Sequence, residues 1–257
     1  MALFSQDALQ PGVRKREVFA WAMYDFANSG YTTVVLTAVF SAYFVGVVAG
    51  SAPWATFAWT LALSVSHAIV MFTMPAIGAW ADQRAAKKRL LVWTTLGCVA
   101  ATAALALVGP GAVALGVVLI IVSNVFFAWG ESLIAAFLPE LAKPAAMGRV
   151  SGWGWSLGYV GGMLALGLSL GYVLWAQGQG QTAAQFVPIT MLITAAVFAL
   201  AASVTLGLLK EHTAPQAVRS ASNGWGGSLK QLKRTFQSAS EYTDFMWLMA
   251  CAVAYQG

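Results

Sequence analysis

Three ionisable residues lie inside long apolar runs of this 257-residue sequence: Asp25, His67 and Glu131. Charged side chains are costly inside a membrane, so each of them marks a candidate functional site. The residues that follow Asp25 at helical spacing are polar as well: Asn28, Ser29 and Thr32. A polar stripe of this kind is typical of a water-filled pathway, where burial lets a carboxylic acid take up and release a proton.

Glu131 is predicted to lie at a similar depth to Asp25, near the cytoplasmic mouth, because its segment runs in the opposite direction. Asn124 precedes Glu131 by seven residues and falls on the same helical face. These residues and His67 form the predicted pathway for substrate and protons. Two alternatives stay open. In one, the two carboxylates have a structural role and tie helix ends together through hydrogen bonds. In the other, His67 makes a hydrogen-bonded helix contact instead of relaying protons.

The elements that must position these residues are membrane-spanning helices. Apolar residues make up 59% of the chain, charged residues only 9%, and the mean hydropathy is +0.72. This composition excludes a water-soluble globule, which carries about 25% charged residues, and it excludes disorder. Because the apolar runs are continuous, a β-barrel is excluded too. Six segments are long enough to cross a bilayer: 19–48, 57–81, 90–108, 112–137, 152–176 and 186–209.

The positions of the basic residues predict the orientation of these segments. All 14 Lys and Arg residues lie in the leader 1–18, in the second and fourth loops, or after the sixth segment. The loops 49–56, 109–111 and 177–185 contain none. Cytoplasmic loops are enriched in Lys and Arg, so the amino terminus is expected in the cytoplasm. We expect an integral protein of the bacterial inner (plasma) membrane, with the lipid bilayer as its surroundings and no nucleic-acid partner.

The sequence contains no pattern for a cofactor, a metal or a catalytic site. Cys98 and Cys251 are far apart, which indicates neither a disulfide framework nor metal-ligand spacing. A phosphate-binding loop for ATP is missing as well. Ser132 and His67 invite comparison with a membrane serine protease, but the segment 130–133 lacks the second glycine of a nucleophile loop. We therefore do not expect an enzyme.

Small residues and a polar connector complete the predicted organisation. The fifth segment carries a glycine stripe suited to close helix packing: Gly154, Gly158, Gly161 and Gly162. Residues 210–242 form a predicted cytoplasmic linker with a short amphipathic helix, or alternatively a loop. Residues 243–257 are apolar but too few to span a bilayer, so they are interpreted as the truncated start of a seventh span.

Several stretches carry a resemblance to a known family. The sequence WAMYDFANSGYTT at 21–33 resembles the first-span signature of the vacuole-effluxer-like family of the major facilitator superfamily, which includes an autophagy-related vacuolar amino-acid effluxer. The sequence GRVSGWGWSLGYVGG at 148–162 resembles its fifth-span signature. Weaker matches lie at 137–140 and 255–257. The loop between spans two and three resembles the superfamily's gating motif through these residues: Gly78, Asp82, Arg84, Lys87 and Lys88.

This resemblance implies a twelve-span transporter made of two six-helix bundles, each built from two inverted three-helix repeats. The present chain then supplies the amino-terminal bundle, and a carboxy-terminal bundle of the same protein is its expected partner. The implied function is secondary transport of a small polar metabolite, an amino acid or similar substrate, in the efflux direction. The depth of Asp25 and Glu131 adds the hypothesis that transport is coupled to protons. The alternative is a non-transporting or half-size membrane scaffold that pairs with another bundle.

A few positions depart from the family's pattern. Ala85 stands where the loop motif has glycine, and Gln83 stands where it has a basic residue. Tyr159 replaces the proline of the superfamily's antiporter motif. Glu131 has no counterpart in the resemblance, so its predicted role depends on its depth and its stripe alone.

Overall fold

Long apolar runs cannot bond their backbone to water inside a bilayer, so each run must satisfy its own N–H and C=O groups as a helix. The computed structural model describes residues 6–212, 243, 244, 246–248 and 251, with the side chain of Gln83 excepted. In that part of the chain, six helices are long and apolar enough to cross a membrane. We number them spans 1 to 6: Lys15–Val48, Ala55–Asp82, Lys87–Leu107, Val113–Leu141, Pro144–Gly178 and Ala183–Leu208. The predicted all-α polytopic class is confirmed.

Span 1 changes its helical geometry halfway along. It begins as α1 (Lys15–Tyr31), continues as a π-helix (Thr32–Ala38) and ends as α2 (Phe40–Tyr43) followed by a second π-helical stretch (Phe44–Val48). Hydroxyl groups accompany the change, since the Thr33 side chain donates to the Ser29 carbonyl at 2.6 Å and the Thr37 side chain to the Thr32 carbonyl at 2.9 Å. Such back-bonding by Ser and Thr loosens the α-helical ladder.

The remaining spans are mostly regular. Their helices are α3 (Ala55–Arg84), α4 (Lys87–Ala104), α5 (Val113–Ala135), α6 (Leu138–Leu141), α7 (Met147–Gly178) and α8 (Ala183–Leu208). Short 3₁₀ turns lie at Gln6–Ala8, Leu105–Leu107 and Pro144–Ala146. Spans 4 and 5 follow each other with little loop between them, and only Ala85 and Ala86 separate α3 from α4.

The packing of the spans shows an internal symmetry. Span 1 packs along spans 5 and 6, span 4 packs along spans 2 and 3, and spans 3 and 6 pack on each other. Exchanging spans 1, 2 and 3 with spans 4, 5 and 6 leaves this pattern of neighbours unchanged. Two inverted three-helix repeats produce this pattern. The predicted amino-terminal bundle of a major facilitator fold is therefore confirmed.

Buried tyrosines hold span 1 in the centre of the bundle. The Tyr24 hydroxyl bonds the Thr95 hydroxyl of span 3 at 3.0 Å, and the Tyr31 hydroxyl bonds the Ser123 hydroxyl of span 4 at 2.8 Å. The Tyr31 ring also stacks on Phe127, with 4.7 Å between ring centroids. These two buried hydroxyl pairs thus join span 1 to spans 3 and 4.

The segment before span 1, predicted as a leader, pairs with the end of span 4. The Gln10 N–H donates to the Leu141 carbonyl and the Lys143 N–H donates to the Ala8 carbonyl, both at 3.0 Å. Leu9, which lies between these bonds, is almost completely buried. Most of the predicted linker and of the predicted seventh span lies outside the described residues, although positions 243, 244, 246–248 and 251 are helical.

Candidate functional site

The polar stripe of span 1 faces a cavity of about 190 Å³. Span 4 contributes Glu131 to the wall and span 5 contributes the opposite side. The complete lining is Asp25, Asn28, Ser29, Thr32, Glu131, Trp155, Gly158 and Tyr159. Five of the seven residues of the predicted pathway therefore meet in one cavity, and their role in transport stays a prediction.

The glycine stripe of span 5 holds the polar stripe of span 1 in place. A Cβ atom added at Gly158 would lie 2.9 Å from the Ser29 Oγ, and one at Gly162 would lie 3.0 Å from the Thr33 Oγ1. A Cβ added at Gly161 would collide with the carbonyl oxygen of Phe26. Glycine at these positions lets the two backbones approach closely, so the side chains of span 1 project past span 5 into the cavity.

The two carboxylates of the cavity lie close enough for their charges to act on each other. Asp25 is half-buried and Glu131 is exposed. Neither carboxylate accepts a hydrogen bond or joins an ion pair within residues 6–212. The predicted structural alternative, in which these residues tie helix ends through hydrogen bonds, is not supported by any such bond within residues 6–212. The cavity is therefore an anionic site with unused acceptor capacity.

Asn28 is the buried polar residue of the cavity. Its side chain is only 6% exposed, and neither its Nδ2 nor its Oδ1 has a hydrogen-bond partner in the described part of the chain. An unsatisfied buried polar group costs about 1–3 kcal/mol. The amide is therefore ready to bond water or a ligand in the cavity.

Two residues of the predicted pathway lie outside this lining. Asn124 is completely buried and donates from Nδ2 to the Ser66 hydroxyl of span 2 at 2.6 Å. His67 is exposed on span 2, within electrostatic range of Glu131. Asn124 shares a helical face with Glu131 but lies two turns deeper, where span 4 packs against span 2.

The cavity also includes two aromatic residues that the sequence analysis missed. Trp155 and Tyr159 lie four residues apart on span 5, are 65% and 67% exposed, and form an edge-to-face pair with ring centroids 6.2 Å apart. The signal was present in the glycine stripe, since each of the two residues follows a glycine of that stripe. Trp155 and Tyr159 therefore lie at the edge of the glycine contact, where they line the cavity.

The loop residues of the predicted gating motif form charge contacts at the ends of the spans that are predicted to face the cytoplasm. The Lys87 ammonium contacts the Asp82 carboxylate at 3.1 Å and the Glu140 carboxylate at 2.8 Å. The Arg84 guanidinium lies 4.7 Å from the centre of the Trp80 ring. Gly78 has open space beside it. Spans 2, 3 and 4 are thereby joined through Lys87.

The residues after span 6 add to these contacts. We call the whole set the charge cluster, and its members are Glu17, Asp82, Lys87, Lys88, Glu140, Glu211 and His212. The Glu211 carboxylate accepts hydrogen bonds from the backbone N–H groups of Lys87 and Lys88, at 3.0 and 3.2 Å, and caps the start of α4. The Lys88 ammonium donates to the Leu209 carbonyl at 2.7 Å. His212 lies 2.6 Å from the buried carboxylate of Glu17 in span 1. Five of the six spans meet in this cluster.

The serine of the hydrolase alternative is engaged within its own helix. The Ser132 hydroxyl donates to the Ala128 carbonyl at 2.9 Å. A nucleophilic serine needs a general base as its acceptor. The geometry at Ser132 is that of an ordinary helical serine.

Comparison with known proteins supports the same architecture. The family described as "Vacuole effluxer Atg22 like" matches residues 44–148 and 145–254. The chain belongs to this family. It is also 28% identical over 243 residues to an "Uncharacterized MFS-type transporter YxiO" of Bacillus subtilis (strain 168), a match that covers 90% of this chain and 55% of that relative. The chain thus spans about half the length of the curated relative. No solved structure matches it.

Membership in the vacuole-effluxer-like family agrees with the six spans, and the protein is an integral membrane protein of the major facilitator superfamily. The family match includes the gating-motif loop, the end of span 4 and the glycine stripe of span 5. It begins at residue 44 and so leaves out the polar stripe of span 1. The assignment of the cavity therefore depends on its geometry.

Proposed function

We propose that the whole protein is a secondary active transporter of a small polar metabolite and that the cavity between spans 1, 4 and 5 is part of its substrate pathway. The observation that carries this proposal is the lining itself. Two carboxylates and an unpaired buried amide meet there, in a bundle of apolar spans. Polar groups at this depth are retained where water or a substrate reaches them.

Alternating access supplies the mechanism. In a transporter built from two bundles, the bundles rock about a central site and open it to one side at a time. Span 1 faces the cavity. Because spans 1 and 5 are in close contact through the glycine stripe, we expect the two spans to move together. The expected partner is a carboxy-terminal bundle of the same protein, which would close the cavity from the opposite side.

Efflux is the direction that we propose, because the family is described as a vacuole effluxer. An amino acid or similar metabolite is the proposed substrate class, as the resemblance of the first and fifth spans implies. Proton coupling through Asp25 and Glu131 is the proposed energy source. Two nearby carboxylates repel each other when both are charged, so binding one proton relieves that repulsion. Proton uptake and substrate binding can then be linked through the same pair.

Reconstitution of the whole protein in liposomes tests this proposal. We expect amino-acid flux that increases with an imposed pH gradient, and we expect Asp25→Asn to abolish the effect of the gradient. Asp7→Asn makes the same chemical change at an exposed position outside the spans and is the matched control. Flux that ignores both the gradient and the Asp25 substitution would contradict proton coupling. A protein that is folded but moves no metabolite would contradict transport and favour a scaffold.

A further inference from the structure

We infer that Asp25, Glu131 and Asn28 form an ammonium subsite, where the cavity binds a primary ammonium group of its ligand. Asp25 and Glu131 supply the opposite charge, Asn28 supplies a buried hydrogen-bond acceptor, and Trp155 with Tyr159 forms an aromatic wall. The inference rests on the proposed function only in taking the cavity as the place where substrate binds.

The charge of the lining gives the first step. The cavity wall contains two carboxylates and, among its described residues, no Lys, Arg or His. Within the described residues, the basic side chains that pair with acids, Lys87 and His212, do so in the charge cluster at the ends of the spans. His67 lies outside the lining, within electrostatic range of Glu131. The two carboxylates of the lining attract a ligand with a positive charge and repel an anionic ligand.

Asn28 gives the second step. Its amide is buried and unpaired at both ends, so the ligand or a water must supply a donor for Oδ1. A primary ammonium has three N–H donors, which is enough for Asp25, Glu131 and the Oδ1 of Asn28 together. A quaternary ammonium has none and leaves the amide unsatisfied.

The aromatic wall gives the third step. Trp155 and Tyr159 line the cavity from span 5, and both side chains are exposed. A cation over the face of Trp or Tyr is attracted by the ring quadrupole by about 0.5–2 kcal/mol. The same pair offers an apolar surface for the carbon atoms next to the amine.

Size and ligand number favour an organic cation over a metal ion. The cavity volume of about 190 Å³ corresponds to roughly six water molecules. Within the described residues, no group of three or more His, Cys, Asp or Glu side chains could hold a metal ion. A small amine fills this space, whereas a bare ion leaves the aromatic wall without a partner.

Ligand-induced stabilisation of the purified whole protein tests the inference. The probes are propylammonium, its neutral analogue propionamide, tetramethylammonium, and NaCl or KCl at the same ionic strength. We expect propylammonium to raise the thermal unfolding midpoint in a concentration-dependent manner. Propionamide should produce no shift, and tetramethylammonium should bind more weakly because it has no N–H donor.

Two substitutions locate the binding. Glu131→Gln should weaken propylammonium binding roughly 10- to 100-fold, since it removes a charge-assisted hydrogen bond. Trp155→Leu should weaken it roughly 2- to 30-fold by removing the cation–π contact. Trp175→Leu is the matched control. Trp175 is also exposed on span 5 and also pairs with a tyrosine, Tyr172 at 5.7 Å, but it lies outside the cavity lining.

Two results would overturn the ammonium site, and a third would overturn the part assigned to the aromatic wall. Equal stabilisation by propionamide would show that charge is not recognised, and equal stabilisation by Na⁺ or K⁺ would assign the site to an inorganic cation. Equal effects of Trp155→Leu and Trp175→Leu would remove the aromatic wall. Failure here is distinguishable from failure of transport. A protein that binds propylammonium but moves nothing in liposomes refutes only the transporter, and one that transports without any preference for amines refutes only the ammonium site.

Discussion

Asp25, Asn28, Ser29 and Thr32 meet in one cavity because a helix of 3.6 residues per turn brings offsets of three, four and seven residues onto one face. That placement could be predicted from residue spacing alone, since α1 is regular as far as Tyr31. Spacing along a single helix does not reveal which neighbour lies opposite. The aromatic wall of Trp155 and Tyr159, and the burial of Asn124 against Ser66, depend on contacts between spans and were therefore missed.

The close contact between Gly161 and Phe26 leads to a prediction about stability. Gly161→Ala places a methyl group against the Phe26 carbonyl, so spans 1 and 5 must separate. We expect a loss of about 1–3 kcal/mol in the free energy of unfolding, measured in detergent by thermal or chemical unfolding. Gly167→Ala on the same helix has open space around its Cβ and is the control. It should be neutral or slightly stabilising, and equal losses for the two variants would refute the close contact.

Ala85 leads to a prediction of increased stability. Its φ of 46° lies in the left-handed region, which explains why the resembling loop motif has glycine at this position. Ala85→Gly relieves a steric cost of about 1–2 kcal/mol but adds backbone freedom to the unfolded chain, so we expect a net gain of about 0.5–1 kcal/mol. The measurement is the unfolding midpoint. Ala145→Gly, at an exposed 3₁₀ position with negative φ, should show no gain.

At the scale of the elements, the turn at Ala85 brings the start of span 3 back against the end of span 2. Lys87 is the residue that joins them, because its ammonium contacts both Asp82 and Glu140 while only 11% of its side chain is exposed. The bond to Glu140 extends the connection to span 4. The loop motif is therefore a structural joint among three spans in this bundle.

Removing this joint should destabilise the ends of spans 2, 3 and 4 that meet at Lys87. Lys87→Met keeps the length of the side chain but leaves the Glu140 carboxylate without its ammonium partner. We expect a loss of about 1.5–3 kcal/mol, the range for hydrogen bonds to charged groups. The measurement is again the free energy of unfolding, with Lys143→Met as the control because Lys143 is exposed and forms no ion pair in the described residues. A similar loss for Lys143→Met would contradict the prediction.

The number of spans was predictable because hydrophobic length and charge alternation agree with each other. The predicted segment 186–209 and the observed span Ala183–Leu208 differ by three residues at most. Larger differences arise where polar residues continue a helix. Span 5 begins at Pro144 instead of 152, because its helix already includes Met147 to Ser151, a stretch that contains the charged Arg149. The π-helical geometry of span 1 has no signal in hydropathy and was not predicted.

At the scale of the whole molecule, the two ends of the described bundle differ in charge. The charge cluster with Lys87, Glu140 and Glu211 lies at one end of the spans. The turns at Gly50, Gly111 and Gly180 lie at the other end, each with a positive φ, and their loops carry no Lys or Arg. The charge difference predicts that the end with the cluster faces the cytoplasm.

Cysteine labelling in intact cells checks this orientation. In a Cys251→Ser background the remaining native cysteine, Cys98, is buried. We expect Gln179→Cys to react with a membrane-impermeant maleimide, and Lys143→Cys to react only after the cells are opened. Both positions are exposed in the structure, so a lack of reaction reflects the membrane side. The reverse pattern would invert the predicted topology.

The way in which spans 1, 2 and 3 rely on spans 4, 5 and 6 for partners has a consequence for biogenesis. The main helix contacts of span 1 are with spans 5 and 6, and those of span 2 are with span 4. A ribosome delivers the first three helices before any of these partners exists. The insertion machinery must therefore shelter a half-made, loosely associated trio, and the fold becomes cooperative only when the second trio emerges and interleaves with the first.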